Sequence, residues 1–81
     1  MNYDDLMRMH ESKLRLIAEG WKFTEWRIVL TYCVEAQNVR LGDSFTGTRA
    51  TYDAALDDAL RYASHAQARH ETNQSTEESG P

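Results

Sequence analysis

Eighty-one residues carrying a net charge of −4 and a single cysteine are enough for one small domain, which buries only about 60% of the surface its unfolded chain exposes. Cys33 alone permits no internal disulfide and points to an intracellular home. No apolar run nears the roughly 18 residues of a membrane span, and the acidic start Met1-Asn2-Tyr3-Asp4-Asp5 is unlike a signal peptide, so a cytoplasmic protein without membrane contact is expected.

The acidity is concentrated at one end. Glu71, Glu77 and Glu78 put three of the four net negative charges into residues 71–81, a segment with no apolar residue, which is expected to be a disordered polar tail after a single α+β domain over residues 1–70. No segment of the body is polarised enough to bind or imitate phosphate.

Asn2 is placed to cap a first helix whose opening turn holds Asp4 and Asp5, both favourable at the positive end of the helix dipole. Tyr3, Leu6, His10, Leu14 and Ile17, with Met7 beside them, recur at three- and four-residue spacings and predict the buried stripe. Gly20 suits the left-handed residue that ends many helices, so the helix is expected over about Tyr3 to Glu19.

The densest run of β-branched and aromatic residues is Trp26 to Val34. Read as one strand, it places Trp26, Ile28, Leu30, Tyr32 and Val34 inward and Arg27, Val29, Thr31 and Cys33 outward. Trp21 and Phe23 alternate on the opposite parity, so either a short first strand ends near Glu25 or a bulge shifts the register there. Glu35-Ala36-Gln37-Asn38 reads as a turn, with Asn38 suited to positive φ. A return strand then carries Val39, Leu41 and Phe45 on one face and Arg40, Gly42, Ser44 and Thr46 on the other, with a bulge or close packing at Gly42.

Thr48 or Thr51 caps a second helix in which Ala55, Leu56, Ala59, Leu60, Ala63 and Ala66 form a stripe of mostly small residues, fit to lie close on a sheet. Asp53, Asp57 and Asp58 near its start and Arg61, His65 and Arg69 towards its end follow the dipole, and Asp57 precedes Arg61 by one turn. The predicted fold class is therefore α+β: helix, a two- to three-stranded antiparallel sheet, helix and polar tail.

No catalytic, cofactor-binding or metal-ligating set emerges. His10, His65 and His70 lack partners at ligand spacing, Cys33 lies within a strand pattern, and the pairs Asp4-Asp5 and Asp57-Asp58 point about 100° apart on a helix. An enzyme is not expected, and no cofactor is. What remains is surface: an open sheet face whose partner-binding residues are expected to be Trp21, Trp26, Arg27, Val29, Thr31, Arg40, Ser44 and Thr46, rich in the residue types of binding hot spots. A homodimer through that face or its edge strand is the accompanying expectation.

The segment Phe45-Thr46-Gly47-Thr48-Arg49-Ala50-Thr51 running into Tyr52-Asp53-Ala54-Ala55-Leu56 resembles the second half of double-stranded-RNA-binding-like domains, and Gly42-Asp43 before the striped helix is similar to the HicB-like antitoxin core. RNA-binding members carry a lysine-rich cluster at the start of that helix; here stand Asp53, Asp57 and Asp58, so nucleic acid is the less favoured partner. In size, acidity and aromatic content the chain also looks like the small accessory proteins of phages and mobile elements, anti-CRISPR inhibitors among them. That resemblance implies a stoichiometric inhibitor acting in the host cell on a surface of a larger protein complex. The alternative is a nucleic-acid-associated or antitoxin-like regulator using Lys22, Arg27, Arg40 and Arg49.

Overall fold

Asn2 accepts a hydrogen bond from the Asp5 backbone N–H through Oδ1 at 2.9 Å, and this cap starts helix α1 (Tyr3–Ala18). Strands β1 (Lys22–Ile28), β2 (Thr31–Asn38) and β3 (Asp43–Arg49) follow, and after them helix α2 (Tyr52–Ser79). The computed structural model describes the backbone of residues 2–79 and the side chains of residues 2–72. Of the expected tail over 71–81, residues 71–79 continue the backbone of α2, and residues 80 and 81 lie outside the described residues.

The three strands form an antiparallel meander in the order β1-β2-β3. Residues paired across the strands share a face, so the register assigns two sides. Phe23, Glu25 and Arg27 of β1 align with Ala36, Val34 and Tyr32 of β2, and these with Phe45, Gly47 and Arg49 of β3. Both helices lie on this side. Val34, Ala36, Ala55, Ala59, Ala63 and Ala66 are fully buried between sheet and α2, as the small-residue stripe predicts. Tyr62 stacks on Phe45 with ring centroids 4.8 Å apart, and Tyr32 meets Tyr52 edge-on.

The run Trp26 to Val34 is two strands, not one. Val29 and Leu30 form a two-residue turn between Ile28 and Thr31, which are paired. The turn exchanges the parity of the inward residues: odd in β1, even in β2. The parity break expected near Glu25 is therefore this hairpin turn rather than a bulge, and it sends Trp26 and Ile28 to the side away from the helices. Tyr32 and Val34 face inward and Thr31 and Cys33 outward, as read from the sequence.

Two further expectations are corrected. Glu35 to Asn38 belong to β2, and the turn is made by residues 39–42, closed by the Gly42 N–H donating to the Asn38 carbonyl at 2.9 Å. Val39, Arg40, Leu41 and Gly42 thus precede the return strand, with Gly42 at φ +73 in the turn rather than in a bulge. Helix α1 is also rotated from the expected orientation. Met9 and Leu16, seven residues apart, are its buried residues, while Tyr3, Leu6, Met7, Leu14 and Ile17 stay exposed. At 100° per residue the exposed stripe lies roughly 110° around the helix from Met9 and Leu16. The reason is local: Met9 and Leu16 join the core, and Lys13 is held at 2.8 Å from Glu25 of β1, fixing the rotation of the helix.

Candidate interaction surface

Among the described residues nothing covers the side of the sheet away from the helices, and the register arranges it in three cross-strand rows. Trp26, Cys33 and Thr48 form one, Thr24, Glu35 and Thr46 the next, and Lys22, Gln37 and Ser44 the third, with Ile28 and Thr31 paired at the end beside the turn. The face is thus graded: polar at the Lys22 end and apolar towards the hairpin tip. Cys33 is buried although it belongs to this side, with the Thr48 hydroxyl 4.0 Å from its sulfur.

The apolar end continues into the tip. Val29 is 83% and Leu30 73% exposed, and Ile28 and Trp26 beside them are also exposed. Val29 has φ +55 and is the single non-glycine residue with positive φ among those described. Positive φ at the first central position alone is the pattern of a type II′ turn, where glycine is the usual occupant. A β-branched side chain costs energy there, and such cost is concentrated at functional positions. The guanidinium of Arg27 supports the turn, donating through Nε to the Val29 carbonyl at 2.8 Å while lying over the Tyr32 ring at 5.2 Å.

Of the eight residues expected to bind a partner, Trp26, Thr31, Ser44 and Thr46 lie together on the uncovered face, and Val29 stands at its tip. The other three do not belong to it. Trp21 is 2% exposed and donates from its indole N–H to Gln67 Oε1 at 3.0 Å, so it anchors the core. Arg27 projects from the helix-bearing side, and Arg40 sits in the turn, where it donates to the Glu19 carbonyl at 2.9 Å. The single-strand reading places Ile28 and Leu30 inward, yet they complete the apolar end. The opposite parity of Trp21 and Phe23 is the signal that could have found them.

Charged groups elsewhere tie the elements together. Glu25 accepts from Lys13 and from the Tyr52 hydroxyl, each at 2.8 Å, linking α1, β1 and α2. Burial pushes the Glu25 carboxyl up, but these two hydrogen bonds outweigh it and hold the group below its usual range. Burial together with the Glu25 contact raises the Tyr52 hydroxyl to about 12. At the other end of the sheet Asp43 meets His70 Nε2 at 2.9 Å and accepts from the Tyr62 hydroxyl at 3.1 Å. The His70 contact foremost holds the Asp43 carboxyl below its usual range. Between the helices runs a groove of about 500 Å³ that includes Arg8, Asp57, Arg61 and His65, with Arg61 paired to Asp57 at 2.9 Å.

The basic residues of the hairpin do not assemble into a phosphate-binding patch. Lys22 lies on the uncovered face, Arg27 and Arg40 are bonded to carbonyls, and Arg49 is 3.3 Å from Asp58. Among the described residues no cluster of three or more histidine, cysteine or acidic side chains is arranged to hold a metal, and no helix is long and apolar enough to cross a membrane. Comparison with protein-family models, curated proteins and solved structures finds no match to this chain.

Proposed function

We propose that this chain is a non-enzymatic protein-binding module that docks on a larger protein through the apolar end of its uncovered sheet face. The observation that carries the reading is the hairpin tip: Ile28, Val29 and Leu30 are exposed beside Trp26, and Val29 is kept in a backbone conformation that its side chain disfavours. Contiguous exposed apolar residues on a small domain are costly in water and mark contact sites. Trp26 is the anchor, the tip residues fill a hydrophobic recess of the partner, and Thr31, Ser44 and Thr46 supply the polar margin. The resemblance to phage accessory proteins makes a stoichiometric inhibitor of a host complex the form this module takes.

The test is quantitative affinity capture with the wild-type chain, Trp26→Ala and Leu30→Asp, each checked by circular dichroism. Both side chains lie on exposed positions, so both variants keep the fold. A protein retained by the wild type and lost with both variants supports the reading. Capture that is unchanged by either substitution overturns it. A nucleic-acid partner, the second reading, would instead show binding to duplex or single strands that weakens steeply with salt.

A further inference from the structure

We infer that a second copy of this chain covers the exposed stripe of α1, giving a two-fold homodimer built on an antiparallel pair of α1 helices. The stripe consists of Tyr3, Leu6, His10, Leu14 and Ile17, with Met7 at its margin, and its apolar members are between 40 and 74% exposed. None of them belongs to the core cluster, which α1 joins through Met9 and Leu16. The sequence thus spends two apolar stripes on one helix, and intramolecular packing uses one.

The spacing of the outer stripe is what identifies its occupant. It is a palindrome about His10: Tyr3 and Ile17 stand seven positions to either side, and Leu6 and Leu14 four. A two-fold axis perpendicular to the helix at His10 therefore lays Leu6 of one copy on Leu14 of the other, Tyr3 on Ile17, and His10 on His10. A self-complementary patch of this kind is the requirement of an isologous interface. The helix dipoles favour the antiparallel direction, because antiparallel pairing opposes the two dipoles whereas parallel pairing aligns them. Because α1 lies on the helix-bearing side of the sheet, this dimer leaves the Trp26 face free and does not depend on the function proposed above.

Sedimentation equilibrium of the whole chain over a range of concentrations tests the inference, with Leu6→Glu and Leu14→Glu as disruptive variants and His10→Leu as the reinforcing one. All three positions are exposed, so circular dichroism remains that of the wild type. The expected result is a species of twice the 9.3 kDa chain mass that dissociates with either glutamate and tightens about tenfold or more with His10→Leu, which replaces a polar gap by an apolar contact. Direction is read by mild oxidation of Leu6→Cys mixed with Leu14→Cys, both in a Cys33→Ala background: mixed disulfides exceed those within either variant alone. A wild-type chain that stays monomeric, a dimer that survives Leu6→Glu, or cross-links favouring Leu6→Cys with itself overturns the proposal. So does a stripe that proves to bind lipid vesicles or a captured protein while the chain remains monomeric. Trp26→Ala leaves the dimer mass unchanged, which separates this interface from the docking face.

Discussion

Gly47 of β3 faces the backbone of Ala55 so closely that a Cβ on Gly47 would stand 2.7 Å from the Ala55 carbonyl oxygen. That oxygen belongs to a helix lying on the sheet through alanines, and it cannot move aside as the end of a flexible side chain would. Gly47→Ala therefore forces α2 away from β3 and costs about 2–3 kcal/mol. For a domain of this size the melting temperature falls by roughly 10 °C or more. A thermal melt within a few degrees of the wild type would show that the helix has room to shift.

Asn38, fully buried, joins two turns to the sheet. Its Nδ2 donates to the Glu19 carbonyl at 3.2 Å, and its Oδ1 accepts from the Leu41 N–H at 3.1 Å. Asn38→Ala strands the Leu41 donor and removes one of the two bonds to Glu19, so a loss of about 2–3 kcal/mol is expected in urea unfolding. Asn38→Asp costs more, because a buried carboxylate then faces the Glu19 carbonyl. Equal midpoints for the two variants would contradict this account.

Stability depends on pH at both extremes. Asp43 and Glu25 have folded pKa values below their ordinary 3.8 and 4.5. Their contribution is present above those ordinary values and is lost as pH falls through the folded ones. Melting temperatures should thus drop below about pH 4, and Asp43→Asn should flatten part of that acid limb. Tyr52 has the opposite sign. Its hydroxyl is raised to about 12 in the folded chain, so the unfolded state ionises first, and stability declines between about pH 10 and 12. Ultraviolet titration should show one tyrosine ionising late, and Tyr52→Phe should remove that component.

Val29→Gly relieves the left-handed strain of a β-branched residue, worth about 1–2 kcal/mol, and gives back part of that through the freer unfolded chain. A net rise of several degrees in melting temperature is expected, together with weaker partner capture, since an exposed apolar side chain is lost. Destabilisation would mean that Val29 contributes more to the folded monomer than its exposure indicates.

The elements of the fold were legible where local chemistry decides them. Asn2, Gly20, the alanine stripe and the Asp57 to Arg61 pair all stand where their side-chain properties place them, and Gly20 adopts φ +100. The candidate site was legible only in part, because its central turn contradicts turn chemistry: Val29 and Leu30 are residues that favour strands, so the run reads as continuous. Losing the turn reversed the face of Trp26 and Ile28. The orientation of α1 was hidden for a different reason. A helix with two apolar stripes offers two amphipathic readings, and the denser one reads as core although Met9 and Leu16 make the contact.

The meander order has a consequence for how the chain assembles. Every strand pairs with its neighbour in sequence, so the sheet forms by closing two short loops, Val29-Leu30 and residues 39–42, at little entropic cost. Folding of such a sheet is fast compared with one built from distant strands. Its inner face is another matter, because Val34 and Ala36 are covered only when Ala55 to Ala66 arrive from the far end of the chain. During synthesis the hairpins therefore precede the helix that seals them. The emerging chain passes through an interval in which the inner face of the sheet lacks the helix that buries Val34 and Ala36, and α2 ends it.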